Sequence, residues 1–152
     1  MGASSIWHFL ILTSLFSGIA GFLPLLIKPN GPNRFGPSAR PLNPIDAVIT
    51  CMRKLVDFSG RGGRSEYWWM WLLSTLVSAA SIALDLTSVV NMGVKLVSFV
   101  LGLTLISAGV RRLHDLNRSG WWMLLLLSGI GAIGLIVLLA WPSQADTSAE
   151  VF

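Results

Sequence analysis

The sequence predicts an all-α integral membrane protein with four transmembrane helices and one amphipathic helix at the membrane interface. Three observations lead there. Hydrophobic residues make up 53% of the 152 and charged residues only 12%, about half the charged share of an ordinary soluble domain. Four long stretches are nearly free of charge. Ten of the eleven Lys and Arg residues fall in just two connecting segments.

Crossing a hydrocarbon core about 30 Å thick takes roughly 20 apolar residues as a helix. Backbone in lipid must satisfy its own hydrogen bonds, which selects helices. The first run, Ile6–Ile27, is uncharged and ends at Lys28, making 1–28 an N-terminal transmembrane segment. A signal peptide is disfavoured: no Lys or Arg precedes the run, and it exceeds the usual h-region of about 7–15 residues. The second span, 67–84, lies between Glu66 and Asp85. The third, 89–110, is broken only by Lys95 and stops at Arg111. The fourth, 121–141, carries no charge and stops at Pro142, leaving 143–152 as a polar tail. No amphipathic stripe divides these runs into wet and dry faces, which argues against a soluble bundle.

Residues 29–44 form a Pro/Gly-rich linker that resists regular helix. Asn43-Pro44 then reads as an N-cap followed by proline at the first helical position. Ile45, Val48, Ile49, Met52, Leu55 and Val56 recur at helical spacing among Asp46, Arg53, Lys54 and Asp57. The expectation is an amphipathic helix over 45–57, lying along the inner interface. A groove on a soluble partner is the alternative.

Cations are retained on the cytoplasmic side. Seven lie between the first and second runs and three (Arg111, Arg112, Arg118) between the third and fourth. Two spans separate these segments, so both fall inside, with the N- and C-termini outside. In VRRLHDLNRSGWW (110–122), Arg111 and Arg112 then end the third span at the inner headgroups, where long cationic side chains reach phosphate. Trp121 and Trp122 mark the same boundary, as indoles do, with Ser119 an N-cap candidate. FSGRGGRSEYWW (58–69) repeats the device with Arg61, Arg64, Glu66, Tyr67, Trp68 and Trp69. The candidate lipid-headgroup or charged cluster is Arg53, Lys54, Arg61, Arg64, Glu66, Arg111, Arg112, His114, Asp115 and Arg118.

At these two stretches the sequence resembles a bacterial family, the YhaH/YhaI-like inner-membrane proteins, or domain of unknown function 805. The shared pattern is F-x-G-R-x-x-R-x-E-Y-W at Phe58–Trp68, L-D at Leu84-Asp85, R-R-L-H-D at Arg111–Asp115 and S-G-W-W at Ser119–Trp122. It covers roughly 45–142 and implies a multi-pass inner-membrane domain over those residues. Members carry a tail like G-x-N-R-F-G-P after the last span, whereas GPNRFGP here occupies 31–37. Two explanations stand: an unrelated N-terminal helix with a chance linker, or, preferred, the last third of a preceding copy fused to a complete one. The second puts NRFGP outside while the charge count puts it inside. Either the two helices run oppositely or the Gly-rich middle of 121–141 makes a re-entrant hairpin.

The resemblance implies a fold and a compartment, and no established activity. His114-Asp115 could pair a base with an orienting carboxylate, but the sequence shows no nucleophile. Cys51 stands alone, and His8 and His114 are far apart in sequence, so no disulfide, metal or cofactor is expected. Transport would call for ionisable residues deep in spans; Asp85 and Lys95 sit near span ends. The preferred function is a non-enzymatic scaffold or accessory subunit, with a basic cytoplasmic face on anionic lipid. Its expected partners are lipid and a membrane protein or second copy, and no nucleic acid. A small-solute or ion transporter component and a membrane enzyme using the His114-Asp115 turn are the alternatives.

Overall fold

The computed structural model describes residues 8, 32–83, 88–127 and 129–144. The first span, 1–28, therefore lies outside the described residues apart from His8, as does the tail beyond 144. The regular secondary structure among the described residues is helical.

Helix α1 (Pro44–Arg53) starts as its sequence dictates. The Asn43 side chain accepts from the Asp46 N–H at 2.8 Å, and Pro44 stands where no intrahelical donor is needed. It ends short of the expected residue 57. Lys54 N–H turns back to Thr50 O and Cys51 O, both at 3.1 Å, and residues 54–56 form a turn. Unwinding there frees the Lys54 and Asp57 carbonyls for acceptor roles on another helix.

Helices α2 (Arg64–Ala83) and α3 (Ser88–Asp115) form an antiparallel pair. The entry of α2 meets the exit of α3, where Gly62 N–H donates to Arg111 O at 2.8 Å. A Cβ on Gly62 would stand 3.0 Å from Arg111 Cβ, so this approach requires glycine. Among the described residues, Met92–Asp115 is a helical stretch long and apolar enough to cross a membrane. α2 has 20 residues but opens on Arg64 and Glu66, which shortens its apolar part.

α3 ends in a Schellman turn. Arg118 N–H donates to Leu113 O at 2.8 Å and Asn117 N–H to His114 O at 2.9 Å. Asn117 takes the left-handed position, φ 56°, which its short polar side chain tolerates.

Beyond this turn the expected fourth span is replaced by two short elements. A 3-10 helix, Gly120–Leu127, opens on Ser119, whose carbonyl accepts from Trp122 N–H at 3.2 Å. Helix α4 (Gly129–Ala140) follows, and the two pack together. The end of α4 lies against the end of α3: Leu139 O accepts from Arg112 Nε at 2.9 Å, and Asp115 O accepts from Gln144 N–H at 3.2 Å. The segment therefore starts and finishes at one end of the α2–α3 pair, and residues 142–144 lie with the basic turn instead of opposite it. The physical reason is compositional. Gly120–Leu127 winds as a 3-10 helix and α4 starts at the Gly-rich Gly129–Gly134, so the run is not one continuous α-helix, while Arg112 supplies donors to carbonyls that a helix end leaves open. Of the two ways to reconcile NRFGP with the last segment, the structure shows the returning hairpin. Of the expected spans, 67–84 and 89–110 correspond to α2 and α3, 121–141 is this hairpin, and the first lies outside the described residues.

The core gathers Cys51, Met70, Leu113, Leu135 and Leu139, each fully or almost fully buried. Large apolar side chains stay exposed along α2 and α3, such as Leu76, Ile82, Met92, Leu96 and Phe99. That is the reverse of a soluble surface and suits a lipid-facing one.

Candidate functional site

The polar end of the α2–α3 pair holds a cluster of charges withdrawn from solvent. Arg111, Arg112 and Asp115 are 0% exposed, Glu66 5% and Arg61 7%. Burying an ion is costly unless it is paired and hydrogen-bonded, and here each is both.

Arg111 binds α2 and the end of α1 to α3. Its Nη2 and Nε donate to Glu66 Oε1 at 2.6 and 3.1 Å. Its Nη1 donates to Lys54 O at 3.1 Å, and also to Asp57 O and Ser107 Oγ. Ser107, one turn earlier on α3, sends its hydroxyl to either of the same two carbonyls, at 2.8 and 2.9 Å. Glu66 also faces Cys51, whose thiol lies 3.8 Å from Oε1 and 3.6 Å from Glu66 O. Burial, then the Glu66 charge, pushes the Cys51 thiol up to about 12.

Arg112 does the same for the hairpin. Nε donates to Leu139 O, Nη2 to Trp141 O, and Nη1 to Asp115 Oδ2 and to Ser143 Oγ at 3.2 Å. The other oxygen of Asp115 accepts from Arg61 Nε at 2.9 Å. Arg61 in turn reaches Gln144 O at 2.6 Å and Gly36 O at 3.2 Å. Three guanidiniums face two carboxylates. The excess positive charge is taken up by carbonyls at the C-terminal ends of α1 and α4, where the helix dipole is negative.

The NRFGP segment docks on the same end. Asn33 Nδ2 donates to His114 O at 2.9 Å and Asp115 O at 3.2 Å, adding to the cap of α3. The Phe35 ring stacks on His114, centroids 3.9 Å apart and 6° from parallel, with the Arg34 guanidinium 4.9 Å from the Phe35 centroid.

Five of the ten cluster candidates thus come together: Arg61, Glu66, Arg111, Arg112 and Asp115. Arg111 and Arg112, expected at lipid phosphate, are fully buried and donate to internal acceptors. Arg53 and Arg64 are exposed and Lys54, His114 and Arg118 half-buried; burial lowers the Arg118 pKa. Nor do His114 and Asp115 form a dyad. Asp115 is occupied by Arg61 and Arg112, and His114 Nδ1 faces Gly60 O at 3.1 Å. No three metal-ligating side chains converge among the described residues.

The anchors divide too. Trp69 and Trp121 are exposed, whereas Tyr67 is buried and Trp68 and Trp122 pack on the core. Tyr67 is core because α2 lies close to α3 there: a Cβ on Gly109 would be 3.5 Å from its ring. Trp141, exposed beside Arg112, is an outward-facing indole that the four-span reading put at the opposite face. Ser107, Asn33, Phe35 and Ser143 were not among the candidates. Ser107 stands four residues before Arg111, a spacing that could have found it.

A helical bundle with its charges locked inside one end and its sides apolar defines a helical membrane protein. Residues 55–149 match the family described as Protein of unknown function (DUF805), and this chain belongs to that family. It is similar to Inner membrane protein YhaI of Escherichia coli (strain K12), 32% identical over 104 residues, covering 67% of this chain and 86% of YhaI. It is also similar to Inner membrane protein YhaH of the same strain, 30% identical over 114 residues, covering 70% and 91%. No solved structure matches. The chain is a bacterial inner-membrane protein of a family whose description assigns no activity.

Proposed function

We propose that this chain is a non-enzymatic scaffold or accessory subunit of the inner membrane, its basic cytoplasmic face resting on anionic lipid. The observation behind this reading is how the buried charges are used. Arg61, Arg111, Arg112, Glu66 and Asp115 bind one another and backbone carbonyls, so the most chemically capable groups of the described chain serve to hold α1, α2, α3, α4 and residues 33–36 in one body. A catalyst or carrier needs such groups turned toward a ligand. What remains for other molecules is surface: apolar sides along α2 and α3 and a rim of exposed cations. The partner is a membrane protein or a second copy of this chain.

Photo-crosslinking in intact membranes tests this, with the crosslinker at exposed Leu76 or Leu96. A discrete crosslinked protein, lost when Arg112→Met loosens the body, supports it. Solute flux or substrate turnover by the purified chain alone in proteoliposomes would contradict it.

A further inference from the structure

The sequence's headgroup candidates included Arg111 and Arg112 together with Arg53, Lys54 and Arg64, and of these Arg111 and Arg112 are fully buried. Of the cations left at the surface, Arg34, Arg40, Lys95 and Arg118 lie apart from α1, whereas three stand where the end of α1 meets the start of α2, at the contact of Cys51 with Glu66. Arg53 in its last turn is exposed, Lys54 follows half-exposed, and exposed Arg64 opens α2.

α1 is held against the polar end of α3. Its C-terminal turn is held by Ser107 and Arg111, and Met52 Sδ sits 3.9 Å from Thr104 Oγ1. From Thr104 to Arg111, α3 advances about 10 Å, so α1 touches only the last two turns of α3 before its charged end. One side of α1 is committed to the protein, with Ala47 and Cys51 at 0% exposure. The other is apolar and uncovered: Ile45 72%, Ile49 42% and Met52 42% exposed, at intervals of four and three, with Val56 69% exposed in the turn that follows. An unpartnered apolar stripe ending in cations has the layout of a phospholipid, tails first and phosphate after.

The nearby acids cancel only part of that charge. Asp46 lies at the far end of α1, where its carboxylate accepts from Asn43 Nδ2 at 2.8 Å. Asp57 is bound by Ser59, whose hydroxyl and N–H hold its carboxyl below the usual range; it stays ionised and subtracts one charge.

We infer that α1 is a seat for an anionic phospholipid of the inner leaflet, its headgroup at Arg53, Lys54 and Arg64 and an acyl chain along Ile45, Ile49, Met52 and Val56. This deepens the scaffold reading and rests on its placement of this face at the inner leaflet.

The full chain, purified in mild detergent, is offered equal phosphatidylglycerol and phosphatidylcholine and examined by native mass spectrometry. Wild type retains phosphatidylglycerol preferentially, and the preference falls as salt rises. Arg53→Gln, Lys54→Gln and Arg64→Gln each lower it roughly fivefold at low salt, and together they abolish it. Ile49→Ser with Val56→Ser lowers retention of both lipids. All five side chains are at least partly exposed, so thermal unfolding should stay near wild type. A triple variant with the wild-type lipid distribution, or a co-purified polypeptide shielding Ile49 and Val56 in place of lipid, overturns the inference. If crosslinking to the membrane partner persists in that case, the scaffold reading stands without it.

Discussion

Arg112 and Leu139 are 27 positions apart in sequence, yet the guanidinium Nε of one donates to the carbonyl of the other at 2.9 Å. That contact, with the neighbouring bond to Trp141 O, brings the last helix back to the end of α3. It makes the Arg-Arg pair a clamp with two directions: Arg111 grips α1 and α2, and Arg112 grips the returning hairpin.

Removing one arm should cost as much as breaking a buried ion pair. Arg112→Met leaves Leu139 O, Trp141 O and one oxygen of Asp115 without their donor, and a loss of about 3–5 kcal/mol is expected. Arg112→Lys should recover less than half of it, since an ammonium cannot match the planar fork that serves these divergent acceptors. Denaturant unfolding in detergent measures both. Hydrogen exchange adds a local reading: amides of residues 139–144 should lose protection before those of α2.

Gly62 offers a second check, on packing. An added Cβ meets Arg111 Cβ at 3.0 Å and the backbone of Arg111 and Arg112 at 3.4 Å. Arg111 is held by its own hydrogen bonds and cannot step aside. Gly62→Ala should therefore destabilise by about 1–3 kcal/mol. Gly109→Ala makes a nominally closer contact, 2.7 Å, but with the flexible tip of Met123. It should cost less, and equal losses in thermal unfolding would speak against a rigid clamp.

Much of this end of the molecule was legible in the sequence, for physical reasons. Asn43-Pro44 specified a helix start that the structure reproduces, because capping is a local matter. The two Arg-rich stretches were recognisable as one cluster because both border apolar runs on the same side. Their pairing was not legible. Whether Asp115 turns to His114 or to Arg61 depends on where residues 36, 61 and 144 arrive, which are contacts across 54 positions or more for Arg61 with Asp115 and Gln144. The path of 121–141 misled for a different reason. Counting apolar residues measures whether a segment tolerates lipid and says nothing about whether it stays straight. The glycines of SGIGAIG were the available hint. Tyr67 misled because an aromatic beside Trp68 and Trp69 reads as an interface anchor, whereas the absent side chain of Gly109 opens the core to it.

Cys51 predicts a pH dependence with a definite sign. Its thiol titrates at about 12 in the folded chain against 9.0 when unperturbed, so above pH 9.0 the unfolded chain releases a proton that the folded chain keeps. Stability is complete below that value and falls as pH rises toward about 12, by at most about 1.4 kcal/mol per pH unit. Glu66 and Arg111 are the charged groups that face the thiol. Unfolding midpoints in detergent should decline for wild type and flatten in Cys51→Ala. The same protonation keeps Cys51 nearly inert to maleimides in the folded protein.

That inertness permits the most direct test of the clamp, in wild-type background. Single cysteines replace Ser38, beside the docked NRFGP segment; Asn91, near the far end of α3; and Ser143, just past α4. An impermeant maleimide is applied to the periplasmic side of intact cells, then again after permeabilisation. Asn91→Cys should be labelled from outside, and Ser38→Cys and Ser143→Cys only once the membrane is opened. Ser143→Cys labelled from outside together with Asn91→Cys, while Ser38→Cys stays protected, would mean that 121–141 crosses the membrane and that Arg112 does not hold its end.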